Sequence, residues 1–228
     1  MQIKEIILQT HLINELKNFY HKLPGLKITN ESSDSFKIHA GKSEIQFIQT
    51  SLSENEKPFY HFAFNIPENQ FKEAKEWILA ETQTLKLNGS DEFDFKSWNA
   101  HSAYFYDPAG NIVELIARHN LNNAANNAFS GRSLLCISEI GIPVNDIEEF
   151  RAGLTSEDLF TVFSGDNETF SAVGDEEGLL ILVKKGRKWY PDCPEARIFP
   201  IIIKIISEED SEINFEDINC KIFFYKRD

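Results

Sequence analysis

His61 and Glu114 are the two residues whose types and surroundings could support chemistry. His61 lies in the apolar stretch 59–67 (FYHFAFNIP), and Glu114 lies in residues 111–117 (NIVELIA), directly after the turn Asp107-Pro108-Ala109-Gly110. Stretches this rich in aromatic and β-branched residues are typical of buried strands. A buried imidazole or carboxylate needs a partner. Two such residues facing one cavity could hold a divalent metal ion, or they could satisfy each other in a hydrogen bond.

The elements that must position these residues form a repeated unit. In the first copy, residues 3–9 alternate as a strand, and apolar residues recur at helical spacing over 12–23. Three short strands are then predicted at residues 26–30, 35–39 and 44–50. The unit is therefore strand, helix, strand, strand, strand, and residues 59–119 repeat this order.

A third copy follows residues 121–133, which have the Asn-rich composition of a linker. Its first strand places Glu139 where the second copy has His61. Its last strand is apolar where the second copy has Glu114, with Ile181 or Leu182 at that place. The sequence pattern at the end of the chain indicates a truncated fourth copy of the unit. We therefore predict a domain of two complete units over 1–120 and a degenerate domain over 134–228.

A βαβββ unit used in pairs, with His on an opening strand and Glu on a closing strand, resembles the vicinal oxygen chelate superfamily. This superfamily holds glyoxalase I, extradiol ring-cleavage dioxygenases, and fosfomycin- and bleomycin-resistance proteins. The resemblance is clearest in residues 59–119, especially in 104–115 (YFYDPAGNIVEL). It implies an α+β fold in which paired βαβββ modules curl mixed sheets around a cup. The 104–115 stretch is specific for the fold rather than for one activity.

The resemblance also implies a set of site residues. The superfamily holds its metal with side chains from the opening and closing strands of two units, and the corresponding positions here are His61, Glu114, Glu5 and Gln46. Glu5 would be either a third ligand or a base that moves on and off the metal. From its own position, just before the predicted strand 102–106, His101 could reach bound substrate as a proton donor if the cup is catalytic, since an unperturbed histidine titrates near pH ~6.5. The alternative for His101 is a surface residue at a strand entrance.

One imidazole, two carboxylates and an amide make an oxygen-rich ligand set. Such a set favours a divalent Mn, Fe, Ni or Zn ion in octahedral surroundings over a tetrahedral structural zinc. The expected function is that of a metal-dependent lyase or dioxygenase of the glyoxalase and extradiol dioxygenase group, acting on a small substrate with neighbouring oxygens. A metal-free protein that binds a small molecule in the cup, as resistance proteins do, is the first alternative. An interaction scaffold whose C-terminal strands mediate dimerisation is the second.

Composition limits the other functions. The net charge of −13, from 36 acidic and 23 basic residues, disfavours a nucleic-acid partner. No apolar run approaches the roughly 20 residues of a membrane-spanning helix, and the N-terminus has no leader pattern. Three cysteines without metal-site spacing indicate reduced packing residues. We therefore expect a cytoplasmic protein with a small-molecule substrate, no membrane partner and a possible homodimer.

One basic cluster interrupts the acidic sequence. Residues 184–191 (KKGRKWYP) could clamp a carboxylate or phosphate, could dock a partner, or could form a solvated loop.

Overall fold

The computed structural model describes residues 1–53, 56–154 and 160–227, and within them fifteen strands and three α-helices form four consecutive units. The first unit contains β1 (Gln2–Thr10), α1 (Ile13–Lys22), β2 (Lys27–Thr29), β3 (Ser35–Ala40) and β4 (Ser43–Gln49). The second contains β5 (His61–Ile66), α2 (Phe71–Leu79), β6 (Phe93–Phe95), β7 (Ala100–Tyr106) and β8 (Ile112–Arg118). Both follow the predicted order of elements.

The second half of the chain repeats the pattern with one helix fewer. The third unit contains β9 (Cys136–Val144), α3 (Ile147–Gly153), β10 (Val162–Gly165), β11 (Phe170–Asp175) and β12 (Gly178–Lys184). The fourth contains β13 (Ile201–Ser207), β14 (Ser211–Phe215) and β15 (Cys220–Lys226). In every unit the first strand pairs in parallel with the last. A parallel pair requires a crossover connection, which includes the helix in the first three units and strand β14 in the fourth. Among the described residues, no helix is both long and apolar enough to cross a membrane.

The units pair differently from the prediction. The opening strand β5 of the second unit pairs antiparallel with the opening strand β9 of the third. Strand β1 of the first unit pairs antiparallel with β13 of the fourth. The first and second units, predicted to pair over 1–120, therefore do not build a cup together. The reason is that a strand pattern specifies which face is buried, whereas it does not specify which edge partner completes the hydrogen bonds.

The predicted linker 121–133 is anchored to the second unit. Asn123 accepts a hydrogen bond from the backbone of Glu68 at 2.9 Å, and Asn69 accepts one from the backbone of Ala125 at 2.9 Å. This segment carries the chain from β8 to β9, which is why the strands of units two and three can lie side by side.

Alternation along the strands separates a core face from a cup face. On β8, the odd-numbered residues pack into the core that includes helix α2, through Val113, Leu115 and Ala117. The even-numbered residues Ile112, Glu114, Ile116 and Arg118 face the other way. On β5 the same alternation sends Phe62 and Phe64 into the core and leaves His61 and Ala63 on the cup face.

The Asp-Pro-Ala-Gly-Asn turn has a structural role that explains its specificity for the fold. The buried carboxylate of Asp107 accepts hydrogen bonds from the backbone of Ala109 and Asn111 and from the hydroxyl of Tyr20 at 2.9 Å. Burial raises the pKa of Asp107 to about 6, although these hydrogen bonds oppose the rise. Asn111 in turn accepts a hydrogen bond from the backbone of Tyr60 at 2.9 Å. The turn thus aligns the start of β8 with the start of β5.

Candidate metal centre

Three buried side chains from three neighbouring strands converge on the cup face. They are His61 of β5, Glu114 of β8 and Glu139 of β9, and their ligand atoms lie within 4.8 Å of one another. His61 Nε2 is 3.7 Å from Glu114 Oε2 and 3.8 Å from Glu139 Oε2. Because ions such as Zn²⁺ bind N and O atoms at about 2.0–2.2 Å, two such ligands must lie within about 4.4 Å of each other. Both histidine–carboxylate distances meet this limit.

Strand register explains the convergence. Ala63 on β5 lies opposite Glu114 on one side and opposite Glu139 on the other. His61 precedes Ala63 by two residues and therefore shares its face. Neighbouring strands are about 4.8 Å apart, so the two carboxylates reach towards each other over the strand between them. The small Ala63 side chain leaves that space open.

A β-bulge on β9 brings a second polar residue to the same face. The β5–β9 register shifts between Ala63 and Phe64, which leaves Ser138 as an extra residue. Arg118 contacts both Ser138 and the adjacent Glu139, which regular alternation would send to opposite faces. The bulge therefore lets one buried arginine reach two consecutive residues.

Hydrogen bonding determines which nitrogen of His61 faces the carboxylates. Nδ1 lies 3.1 Å from the carbonyl oxygen of Ile112 and donates to it. This arrangement leaves Nε2 to face Glu114 and Glu139. In metal-binding histidines the ring nitrogen that does not bind the metal commonly donates to a backbone carbonyl, as Nδ1 does here. The Nε2 contacts are longer than the roughly 2.7–3.2 Å of an N–H···O hydrogen bond. His61 Nε2 is therefore close enough to share an ion with each carboxylate, but it is too far from both for an ordinary hydrogen bond.

The electrostatics of the cluster favour bound positive charge. Burial raises the pKa of Glu114 to about 8, the charge of Glu139 adds to the rise, and His61 opposes it. Burial lowers the pKa of His61, but its interactions with Glu139 and Glu114 outweigh burial and hold that pKa above its ordinary value. The buried carboxyl of Glu114 thus retains a proton in place of a cation, and a divalent ion would displace that proton.

Arg118 fixes the orientation of the Glu139 carboxylate. Its Nη2 bonds to Glu139 Oε1, its Nε donates to Ser138 Oγ at 3.1 Å, and its guanidinium lies 5.3 Å from the centre of the Trp98 ring. Arg118 is fully buried, and its Nη1 has no hydrogen-bond partner among the residues that the structure describes. Because Oε1 is bound to the arginine, Oε2 is the oxygen that Glu139 presents to His61.

The cluster lies in the wall of a cavity of about 250 Å³. The other walls are mainly aromatic and include Phe95, Trp98, Tyr104, Phe170, Trp189 and Tyr190. This volume is just below the usual range of about 300–1,000 Å³ for small-molecule sites. The cavity therefore has the size for a compact ligand, with the potential metal ligands on one side and rings on the others.

The loop between β12 and β13 closes part of this cavity. Its buried Trp189 lies 5.2 Å from the His61 ring, centre to centre. A Cβ at Gly141 of β9 would lie 2.4 Å from the Trp189 ring, so glycine is required for the indole to rest on the strand. On the same loop, Tyr190 packs edge-on against Tyr104 at 5.7 Å. The loop thus supplies two rings to the cavity wall.

No family model matches the sequence, and no curated protein shows significant similarity to it. Solved structures do match its fold. A "putative dioxygenase" from Bacillus subtilis aligns over 98% of this chain and 85% of its own, with a TM-score of 0.59 and 10% identity. Glyoxalase I from Zea mays aligns over 89% of this chain and 74% of its own, with a TM-score of 0.55 and 13% identity. The chain has the glyoxalase/dioxygenase fold.

This likeness confirms the predicted α+β class, with βαβββ units and a large curled mixed sheet. At such low identities it establishes the fold and leaves the activity to be argued from the site. The four units make two pairs: units two and three, and units one and four.

The predicted ligand Glu5 lies in the other pair of units. Its carboxylate lies 2.5 Å from both Lys37 Nζ and Lys204 Nζ, and Lys204 is its register partner on β13. Burial raises the pKa of Glu5, but the two lysines outweigh burial and hold it below its ordinary value. Glu5 is therefore corrected from ligand or base to the centre of a Lys–Glu–Lys ion pair, in which two ammonium groups supply the positive charge.

Gln46 belongs to this second pair as well. It is partly buried on β4, opposite Ile7 of β1 and Lys37 of β3. The structure does not bring it to the His61 cluster. Its separation from His61 and Glu114 follows from the same pairing of unit one with unit four.

His101 also lies away from the cavity. On β7 it alternates with Ser102 and Tyr104, so it points to the opposite face from the cavity-lining Tyr104. Its ring packs 6.0 Å from that of Phe71 on α2, and its Nδ1 lies 2.8 Å from His119 Nε2. Its position places it among these neighbours rather than beside a substrate in the cavity.

Glu139 is the member of the cluster that the predicted ligand set omits. The sequence does contain the signal, because Glu139 occupies in the third unit the place of His61 in the second. Using that signal requires knowing that β5 and β9 are neighbours. The candidate set is therefore corrected to His61, Glu114 and Glu139.

Proposed function

We propose that this protein is a divalent-metal-dependent enzyme that acts on a small substrate with two neighbouring oxygens. The observation that carries the proposal is the convergence of His61, Glu114 and Glu139 in the wall of an aromatic cavity, with His61 Nε2 turned towards both carboxylates. The fold shared with glyoxalase I from Zea mays supports the proposal, because that protein is an enzyme with the same architecture.

The donor set fits such an ion. One imidazole nitrogen and two carboxylate oxygens suit Mn, Fe, Ni or Zn, and three protein ligands leave coordination positions open for a substrate. The set differs from the two-His-one-carboxylate triad of non-haem Fe(II) oxygenases, because Glu139 replaces the second histidine. This difference favours proton-transfer and lyase chemistry over ring cleavage with dioxygen. A bound divalent ion would supply Lewis-acid stabilisation of negative charge that develops on the substrate oxygens.

The surrounding residues have defined tasks under this proposal. Arg118 keeps Glu139 Oε2 directed at the ion position through its contact with Oε1. Phe95 and Trp98 form walls that exclude water from a bound substrate. Tyr104 lies beside Glu114, and burial together with the charge of Glu114 raises the pKa of its phenol well above the ordinary value. Tyr104 therefore remains protonated and can donate a hydrogen bond to a carboxylate or to a substrate oxygen.

Metal binding tests the proposal directly. We expect protein purified without chelator to retain Mn, Fe, Ni or Zn, and the stripped protein to rebind the ion in calorimetry. His61→Ala and Glu139→Gln should each abolish binding, whereas His101→Asn, on the other face of the sheet, should bind as the wild type does. If the wild type neither retains nor rebinds any of these ions, the enzyme proposal fails.

A metal-free binding protein is the second candidate. The observation that favours it is Arg118, which already neutralises part of the carboxylate charge in the cluster. Under this alternative, small aromatic molecules occupy the cavity without an ion, and chelators do not reverse the thermal stabilisation that they cause. Stabilisation that disappears with chelator would favour the metal-dependent enzyme.

A further inference from the structure

The loop after β12 places one large side chain, Trp189, between two spaces that both reach His61. On one side lies the cavity of about 250 Å³. On the other side lies a much smaller space of about 10 Å³, whose walls include Phe59, Tyr60 and Phe199. His61 and Trp189 line both spaces. The indole therefore separates the cavity from an apolar region behind it.

The indole is held in this position by packing and by the backbone of the loop. Trp189 is buried, and its ring occupies the place that a Cβ at Gly141 would need. Its backbone N–H donates to the carbonyl of Pro194 at 3.2 Å, and its carbonyl accepts from the backbone of Cys193 at 2.9 Å. The separating ring is therefore a fixed part of the folded loop.

The cavity continues towards the surface at its other end. Trp98 and Ser164 line both the cavity and a surface groove of about 600 Å³. A ligand that enters from this groove passes Trp98 and meets Trp189 at the closed end of the cavity. The space behind the indole, about 10 Å³, is at the lower limit of about 10–15 Å³ that one water molecule requires. No part of a ring fits there while the indole is in place.

We propose that Trp189 sets the depth of the cavity and thereby determines the length of the ligand that it accepts. An apolar cavity of roughly 150 Å³ holds one benzene ring, so two rings in line need about 300 Å³. The cavity of about 250 Å³ is too short for both, unless the indole is removed and the apolar region behind it becomes accessible. Because this limit comes from the shape of the cavity, it applies with or without an ion at the His61 cluster.

Two probes that share a hydroxyl group and differ by one ring test this role. The probes are phenol and 4-phenylphenol, and their dissociation constants are measured by calorimetry on the full chain, with the metal content of each sample recorded. The ratio of the phenol constant to the 4-phenylphenol constant should rise at least about tenfold from the wild type to Trp189→Ala, because the second ring becomes buried. The affinity for phenol itself should change less than about threefold.

A matched truncation and a milder variant control this experiment. Trp77→Ala removes an indole on α2 that packs against Phe129, away from the cavity, and should leave the ratio at the wild-type value. Trp189→Phe keeps a smaller ring in the loop and should raise the ratio at least about threefold. If Trp189→Ala does not unfold cooperatively, Trp189→Phe decides the question.

The outcomes separate this role from the proposed function. An unchanged ratio in a folded Trp189 variant, an equal rise in Trp77→Ala, or a wild type that binds neither probe overturns the role of Trp189. A wild type that neither retains nor rebinds a metal ion overturns the proposed function alone, because the ratio is measured without reference to an ion.

Discussion

Replacing Glu114 with glutamine should remove most of the pH dependence of stability that the metal-free protein shows around neutral pH. Burial and the charge of Glu139 raise the pKa of Glu114 from 4.5 to about 8 on folding. Between these values the folded protein holds a proton that the unfolded chain has released. The stability that protonated Glu114 confers is therefore fully present below its unfolded pKa and is lost as the pH rises towards about 8.

The size of the effect follows from the two pKa values. Each tenfold difference in proton affinity between the folded and unfolded states is worth about 1.4 kcal/mol. The rise from 4.5 to about 8 then corresponds to about 5 kcal/mol of unfolding free energy over this pH range. His61 acts in the same direction, since its pKa also lies above its ordinary value. The wild type should thus lose several kcal/mol as the pH rises, and Glu114→Gln should lose much less.

Urea unfolding in the presence of a chelator measures this difference at several values between about pH 5 and pH 8. The unfolding free energies of the two proteins should change relative to each other by several kcal/mol across the range. The control Glu208→Gln removes an exposed carboxylate and should run parallel to the wild type. If the Glu114→Gln curve also runs parallel to the wild type, the buried carboxyl does not hold a proton and the electrostatic account of the cluster is refuted.

Three further substitutions test the geometry of the site. Arg118→Met leaves Glu139 without its buried cation, so urea unfolding in chelator should show a loss of about 3–5 kcal/mol in the free energy of unfolding. A loss below about 0.5 kcal/mol, as at an ordinary surface position, would contradict the buried ion pair. Ala63→Leu fills the space between the two carboxylates and should weaken zinc binding at least about tenfold in calorimetry. The larger side chain should cost about 1–3 kcal/mol of stability while unfolding stays cooperative. Unchanged zinc affinity would place the ion elsewhere. Gly141→Ala puts a Cβ 2.4 Å from the Trp189 ring, so the indole should move and tryptophan fluorescence should change; an identical emission spectrum would contradict this contact.

The two pairs of units show how one architecture can satisfy a buried carboxylate in two ways. In units two and three, Glu114 and Glu139 converge near His61 and leave space for a cation. In units one and four, Glu5 lies between the ammonium groups of Lys37 and Lys204. A buried carboxylate needs a positive partner in either case. In units one and four the strands themselves supply that partner as lysine side chains. Units two and three therefore form the pair that has the capacity for an external ion.

The fold was accessible from the sequence because its signals are local. The periodicity of residues 3–50 and 59–119 predicted the order of elements that the structure has, and the 107–111 turn, with its buried Asp107, is a local motif that carries much of the resemblance. His61 and Glu114 were found for the same reason, since each is a polar residue within an apolar strand. Their role as metal ligands stays a prediction that the metal analysis above tests.

The partners of those two residues required the tertiary structure. Glu139 becomes the third member of the cluster because β5 hydrogen-bonds to β9, and Glu5 is excluded because β1 hydrogen-bonds to β13. The sequence determined which residues are buried and on which face of a strand they point, because burial depends on the chain's own pattern of apolar residues. Only the folded chain decided which strand edges meet, because backbone hydrogen bonds are nearly the same for every pair of strands and their choice depends on how the whole sheet closes around its core.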